Sequence, residues 1–381
     1  MGIDISLTPE QQKIQQAARE FTAKYVIPNA GKYDRAGEFP EFLGPEAVKA
    51  GIYPPAVPKE YGGPGLDLLS QAIIAEEIGY GCGSFANILC GNMMSAKLVL
   101  LAGTEEQKKL YTKPLVEGGY AGFALTEPGS GSDAGSISTQ ARPDGDEYVL
   151  NGSKCFASFC GYATNIVVFA STSPGKGVKG LSAFIVEMER EGMTVASVEH
   201  KLGIRSSNSV ELVLKNVRVP KDHLIGSEGE GFKYAMKALD TGRAAVGYVA
   251  VGVAQRALDE AVKYCKEYID VNGQPLSAHQ SIAFRLADMA IQVEAARQLA
   301  RRVVRLQESG APYTTESCMA KTFATDTAMR VCAESVTLLG PYGYSQDGVV
   351  EKLMRDIKIF QIFEGSNQIQ RLVISRNLLA R

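Results

Sequence analysis

Tryptophan is absent from the chain's 381 residues, and histidine occurs only at His200, His223 and His279. No histidine stands at metal-ligand spacing from another, which argues against a zinc or haem site. The seven cysteines (Cys82, Cys90, Cys155, Cys160, Cys265, Cys318 and Cys332) form no CxxC pair. An odd count in a chain this long points to reduced thiols and a cytosolic setting, not a disulfide scaffold. Neither sign of charge dominates: 40 basic residues face 42 acidic ones, for a net charge of −2. No cationic excess exists to neutralise phosphates, so a nucleic-acid partner is not expected. No apolar run reaches the length of about 18 residues that a membrane span needs. The opening, MGIDISLTPEQQ, lacks both a basic segment followed by an apolar core and the Arg-rich character of a transit peptide. Cytoplasmic location is the expectation. Met1-Gly2 with Ser6 fits the short myristoylation pattern, read here as a chance match.

What is present is ordinary for a globular protein: 45% apolar and 22% charged residues. The length suits two or three packed units. Residues 1–121 read as a helical domain. Thr8-Pro9-Glu10-Gln11 is a helix start with a capping box and a proline at the first helical position. Ile14, Ala18, Phe21 and Tyr25 then form one apolar face, and Pro28 is expected to end the helix. Further helices are expected near 65–80 and 104–117, with Gly/Pro-rich breaks such as YGGPG at 61–65.

Residues 122–228 read as a β domain, a small sandwich or barrel. Glu147–Leu150, Asn165–Ala170, Ser182–Glu187 and Val210–Val219 are short runs rich in Val, Ile and Phe, separated by turn residues. Residues 229–381 read as a four-helix bundle. Ile282, Leu286, Met289, Val293, Ala296, Ala300 and Val303 make one long core stripe, with Arg285, Asp288, Glu294, Arg297 and Arg301 expected outward. The order α, β, α-bundle excludes a doubly wound parallel sheet, which needs alternating βα units.

Three segments have the composition of a site. Phe123–Asp133 (FALTEPGSGSD) brings small residues together, so that backbone N–H groups can approach an anion or a planar ring. Its glycine spacing is not a dinucleotide fingerprint, and it lacks the Gly-Lys-Ser/Thr of a phosphate loop. Asn151–Ser158 (NGSKCFAS) offers Phe156 to lie against a flat ring and the Ser158 hydroxyl to bond a ring nitrogen. Gln361–Arg371 (QIFEGSNQIQR) sets Glu364 in an apolar stretch, where a poorly hydrated carboxylate becomes a stronger base. Each segment alone also fits a plain β-turn, a strand aromatic or a helix-cap neighbour.

Together, and in this order, TEPGSGSD, NGSKCFAS and IFEGSNQIQR resemble the acyl-CoA dehydrogenase family. KLGIRSS (201–207), LKNVRVPKDHLIG (214–226) and EGFKYAMKALDTGR (230–243) support the likeness, which runs from about residue 6 to the end. The resemblance implies a helical domain, a β domain and a four-helix bundle, assembled as a homotetramer of paired dimers, or as a dimer. It implies FAD held by Phe123, Leu125, Thr126, Gly131, Ser132, Phe156 and Ser158, with Ser366 and Gln368 at further cofactor positions. Ser158 stands where the family usually has Thr. It implies Glu364 as the base that takes the α-proton of an acyl-CoA, hydride transfer from the β-carbon to flavin N5, and a 2-enoyl-CoA product. An electron-transfer flavoprotein is the implied redox partner. Cys90, Met93 and Met94 fall where the acyl pocket is lined, and Ser132, Asp240, Arg243 and Gly365 fall at substrate positions.

Some relatives carry the base just before the arginine of the Leu239–Arg243 stretch. That position is Gly242 here, which disfavours isovaleryl-type and long-chain-type arrangements. No arginine accompanies Cys90, Met93 and Met94, which argues against a glutaryl-type substrate. The likeness lapses at Tyr268–Gly273, where an Arg-x-x-Phe-Gly stretch is usual, and at Thr337 and Gly340-Pro341. The ADP half of FAD is therefore expected to be held by other groups, near His279 and Gln280, or weakly. The alternatives to dehydrogenation are an enoyl-CoA reductase running the other way and a non-catalytic subunit of the same fold.

Overall fold

The computed structural model describes residues 7–91 and 93–380. Met1, Gly2 and Ser6 of the myristoylation-like pattern lie outside them. Thr8 caps the first helix, α1 (Pro9–Phe21), with the capping box through Gln11 in place. Pro28 does not end this run. A π-helical turn at Thr22–Val26 absorbs the register, and Pro28 enters the first turn of α2 (Ile27–Ala36), where its missing N–H costs little. The run stops at Gly37, in the left-handed conformation. The helical part continues through α3 (Leu43–Lys49), α4 (Leu68–Gly81), α5 (Gly83–Ala86), α6 (Met93–Ala102) and α7 (Glu105–Val116). By composition and length alone, Gly83–Ala102 is apolar enough for a membrane span. This corrects the expectation that no stretch would be; the segment is largely buried in the protein, with α6 packed on the bundle.

Seven strands follow: β1 (Tyr120–Ala124), β2 (Gln140–Asp144), β3 (Glu147–Ser158), β4 (Ala163–Ser171), β5 (Leu181–Glu187), β6 (Met193–Val198) and β7 (Ser209–Pro220). They form one curled sheet in the order β1-β4-β2-β3-β7-β6, with β5 paired to β4. β1 and β4 run parallel, while β3 and β7 pair antiparallel along most of their length. Ala124, Leu150, Ile166, Val168, Phe184, Leu212 and Val217 fill its interior.

The last part is built on three long helices, α8 (Gly231–Glu267), α9 (Gln280–Glu308) and α10 (Thr314–Tyr344), with α11 (Val350–Ile357) and α12 (Asn367–Leu379) completing it. Met289, Val293, Ala296, Ala300 and Val303 are buried, as their spacing requires, and Ile282 and Leu286 are half-buried against the same core. Arg297 departs from the expected outward row. It turns inward to pair with Glu76 of α4 at 2.8 Å, because burial of Glu76 demands a cation. Helices α4 and α8 touch along their backbones: a Cβ on Gly252 would fall 2.1 Å from the Glu76 carbonyl oxygen. The loop before β7 docks on α11, where Asp356 accepts the Ile204 N–H at 2.6 Å and Arg355 donates to the Leu202 carbonyl at 3.1 Å. These contacts set the β sheet, α6 and α8 around one cleft.

Candidate active site

The cleft, about 330 Å³, opens between the sheet and the bundle. Phe123, Leu125, Thr126, Gly131, Ser132, Phe156 and Ser158 line it from the β side; Met94, Arg243, Glu364 and Gly365 line it from the helical side. All three sequence segments therefore meet at one place. Two of them are locked to each other by a feature that sequence reasoning missed. Lys154, fully buried, pairs with Glu127 at 2.6 Å and also donates to the Leu125 carbonyl at 3.2 Å. Glu127 accepts further bonds from the amide and hydroxyl of both Ser138 and Thr139. The Cys155 N–H donates to the Thr126 carbonyl at 2.9 Å. Burial alone would raise the Glu127 carboxyl, but Lys154 and the hydroxyls outweigh it and leave it at about 2. Burial dominates for Lys154, whose amine is lowered to about 8. A Glu and a Lys separated by 27 positions, each in a small-residue segment, were the legible signal of this lock.

Phe156 is 60% exposed, with φ +52°, and stands in the cleft wall. An aromatic side chain so exposed beside a cleft calls for a flat apolar partner. Cβ atoms placed on Gly129 or Gly131 would meet nothing within 4 Å, so the turn leaves open room against its backbone.

Glu364 faces this space from the turn between Gln361 and α12. It has φ +52° and is followed by Gly365 at φ +86°. The turn is pinned by buried polar side chains. Gln370 Nε2 donates to the carbonyls of Glu364 (3.1 Å) and Gly365 (2.9 Å), and Lys321 Nζ donates to the Gly365 carbonyl (3.0 Å) and Asn367 Oδ1 (2.9 Å). The Glu364 N–H makes no hydrogen bond among the described residues. Glu364 Oε2 is shut off from solvent and has no partner either. Burial raises this carboxyl to about 7, against the opposing pull of Lys321, Arg243 and Lys97. A carboxylate of this kind, close to an open cleft and committed to no internal bond, is suited to accept a proton.

The remaining candidates divide. Asp240 does not line the cleft. It pairs with Arg243 and accepts from the Thr314 hydroxyl at 3.0 Å, holding Arg243 in place. Cys90 and Met93 line smaller spaces behind Glu364, while Met94 also reaches the main cleft. Ser366 caps α12 by accepting the Ile369 N–H at 3.3 Å, and Gln368 is exposed; neither lines the cleft. Sequence reasoning missed Lys97, which lies with Cys90 and Met93 behind Glu364. Its spacing of four from Met93 puts the two on one face of α6. The absence of arginine there stands, but a cation is present. Tyr268 ends α8 and stacks with Tyr264, which also stacks with Tyr342. Asp270 in the loop that follows accepts from His279 at 2.8 Å, so His279 is engaged within this loop.

Residues 8–119, 122–217 and 229–379 match the N-terminal, middle and C-terminal domains of acyl-CoA dehydrogenases. The chain belongs to the acyl-CoA dehydrogenase family, whose members are flavin-dependent oxidoreductases. It is 42% identical to a short-chain specific acyl-CoA dehydrogenase of Clostridium acetobutylicum, over 98% of this chain and 99% of that one. It is 41% identical to an acryloyl-CoA reductase (NADH) of Anaerotignum propionicum, over 100% of this chain and 97% of that one. Among solved structures, butyryl-CoA dehydrogenase of Megasphaera elsdenii superposes with a TM-score of 0.96 at 40% identity, covering 99% of this chain and 100% of that one. A chain solved in work on the electron transferring flavoprotein of Acidaminococcus fermentans gives 0.97 at 42% identity, with both chains fully covered.

Proposed function

We propose that this protein is an FAD-dependent acyl-CoA dehydrogenase that uses Glu364 as the α-proton base, with an electron-transfer flavoprotein as redox partner. The observation that carries the reading is Glu364 Oε2: buried, unpartnered, and beside the cleft where the three segments meet. Exposed Phe156, the open backbone at Gly131 and the hydroxyls of Thr126, Ser132 and Ser158 suit a flavin ring, which Phe123 and Leu125 would back. When bound, FAD supplies the acceptor for the β-hydrogen, taken as hydride. Ser366 and Gln368, if they touch the cofactor, do so away from this cleft wall.

The chain's own part is to bind, polarise and deprotonate. The free Glu364 N–H is available to the thioester oxygen, where negative charge gathers as the α-proton leaves. The α C–H bond breaks and its proton passes to the Glu364 carboxylate. Gly365 allows the thioester close to the main chain, and Arg243, fixed by Asp240, lends positive charge nearby. Water exclusion keeps the carboxylate basic. A carboxyl near 7 is half protonated at neutral pH, so the same group can return the proton to an enoyl-CoA, and the reductase direction stays open to this site. We infer a cytoplasmic homotetramer; the free cysteines and the exposed Phe284 and Ile291 on α9 support it.

The test is anaerobic bleaching of the purified yellow protein by short-chain acyl-CoAs. Wild type should bleach. Glu364→Gln should keep its flavin and lose bleaching by orders of magnitude. Equal bleaching by the variant, or a colourless protein that FAD cannot restore, overturns the reading.

A further inference from the structure

Lys154, Lys321 and Lys352 are the lysines buried in the core of the protein. A buried cation is ordinarily matched by a carboxylate, because an unpaired charge out of water is costly. Lys154 follows the rule with Glu127, and Lys352 with Asp356. Lys321, on α10, does not. It makes no ion pair among the described residues, and its Nζ donates to two neutral acceptors, the Gly365 carbonyl at 3.0 Å and Asn367 Oδ1 at 2.9 Å.

The turn that carries Glu364 is therefore what this ammonium holds. One helical turn further on, Thr325 accepts from Asn367 Nδ2 at 2.9 Å. Asp326 beside it accepts from Gln361 at 2.7 Å, Asn367 at 2.8 Å and Arg371 at 2.7 Å. One side of α10 thus grips the chain before and after the base. The turn needs that grip, since Glu364 sits at φ +52°, a conformation that costs a residue with a side chain.

The charges around Glu364 come from three helices. Arg243 of α8 is matched by Asp240, and Lys97 of α6 is only half-buried, so water meets part of its charge. Asp326 is engaged by Arg371. The charge of Lys321 is left facing Glu364. Lys321 is the foremost charge drawing the Glu364 carboxyl down from the level that burial would impose, ahead of Arg243 and Lys97. Burial in turn lowers the Lys321 amine to about 8, with Arg243 adding to the effect and Glu364, Asp326 and Cys318 opposing it, Glu364 most strongly.

We propose that Lys321 is a positioning residue for the reaction, acting through Glu364: its bond to the Gly365 carbonyl fixes the turn, and its unmatched charge keeps the base ionised in a place that water does not reach. This rests on the reading of Glu364 as the base. When the carboxylate takes the α-proton, the ammonium loses its counter-charge, so the same lysine favours release of that proton afterwards. Gln370, which donates to the same carbonyl at 2.9 Å, shares the mechanical part without a charge.

The experiment follows flavin bleaching of the holoenzyme by anaerobic stopped flow from pH 5 to 9. The substrate is whichever of butyryl-CoA, isobutyryl-CoA and hexanoyl-CoA bleaches wild type fastest, at saturation. The readout is the pH at which the rate constant reaches half its plateau. Lys321→Gln keeps an N–H donor and loses the charge; Lys321→Met loses both. Each should raise the midpoint by about one pH unit or more, the lower end of what a neighbouring opposite charge does to a carboxyl, and so slow bleaching about tenfold on the acid side. Gln370→Leu should slow bleaching at every pH and leave the midpoint unmoved. Lysine variants with the wild-type midpoint overturn the proposal, and so does a Gln370→Leu midpoint raised as far as theirs. If Lys321→Gln fails to hold flavin, Lys321→Met takes its place; loss of flavin by both marks a purely structural lysine and also overturns it. An inert Glu364→Gln beside lysine variants of unmoved midpoint removes this inference alone. A Glu364→Gln that bleaches like wild type, or a wild type that none of the three substrates bleaches, removes the base reading and this inference together.

Discussion

Gly242 and Glu364 share one space. A Cβ on Gly242 would lie 2.6 Å from Glu364 Oε2 and 3.3 Å from its carboxyl carbon. Helix α8 therefore needs a residue without a side chain where the carboxylate of the distant turn passes it. The alternative position for a base and the occupied one are mutually exclusive here for steric reasons, beyond any choice of mechanism. The same contact helps close Oε2 from water, which is why burial dominates its protonation.

Gly242→Ala should therefore displace the base while leaving the fold nearly untouched, since the helix gains a better helix former. Misplacement of a reacting group by about 1 Å costs on the order of 10²-fold in rate. We expect flavin content and far-ultraviolet circular dichroism to match wild type, with bleaching by the best acyl-CoA slowed about 100-fold. An unchanged bleaching rate would show that the carboxylate reacts from another position.

Lys154 and Glu127 hold the Thr126 turn to β3, so their loss should be felt both as instability and as cofactor release. Breaking a buried pair by removing one partner costs about 3–5 kcal/mol. Lys154→Met should lower the denaturation midpoint accordingly and raise the Kd for FAD. The double variant Lys154→Met/Glu127→Gln should recover part of the stability, because no bare charge remains buried. Glu127 contributes stability above its unfolded value near 4.3, and that contribution should fade as pH falls towards about 2. Urea titrations of the three proteins decide it; a double variant as unstable as the single one would show that the ion pair is not the source.

The three chain regions and the three site segments were readable because each rests on local pattern. The stripe from Met289 to Val303 is a helix repeat, and Val210–Val219 is a strand alternation. Glu364 was legible from its apolar flanks. What local pattern did not carry was distance in space. Pro28 marks a helix end by rule, yet a π-turn upstream let it become a helix start. Arg297 fits an outward row until Glu76, on another helix, draws it inward. Ser366 is read only through the resemblance, at a cofactor position; that its hydroxyl also caps α12 is not read from the sequence. Lys97 draws no notice in the sequence; only the packing of α6 against α8 brings it beside Met93 and Glu364.

Asp356 links the bundle to the β sheet. Its Oδ1 takes the Ile204 N–H at 2.6 Å, and its other oxygen pairs with Lys352, which also contacts Cys82 Sγ at 3.2 Å. Asp356→Ala leaves a buried ammonium and a buried amide unpaired together. We expect a loss of about 3–5 kcal/mol, with Asp356→Asn milder because it can still accept from Ile204. Amide hydrogen exchange at Ile204 should rise more in the alanine variant than in the asparagine one; equal protection in both would place the bond's importance elsewhere.

The carboxyl of Glu364 ties activity and stability to pH in opposite senses. Proton abstraction needs the ionised form, so bleaching by an acyl-CoA should rise about tenfold per pH unit below about 7 and level off above it. Stability should run the other way. Between the unfolded value near 4.3 and about 7, the native chain holds a proton that the unfolded chain has released, so the native state loses ground as pH climbs through that window. Glu364→Gln carries no such proton. Relative to wild type it should be stabilised more at pH 8 than at pH 4.5, by up to about 3 kcal/mol, since each pH step across that window is worth about 1.36 kcal/mol. Thermal melts of the two holoproteins across this range measure the difference, and FAD content at each pH guards against cofactor loss. A gap that stays constant from pH 4.5 to 8 would mean that Glu364 ionises as an ordinary surface carboxylate and is not the buried base.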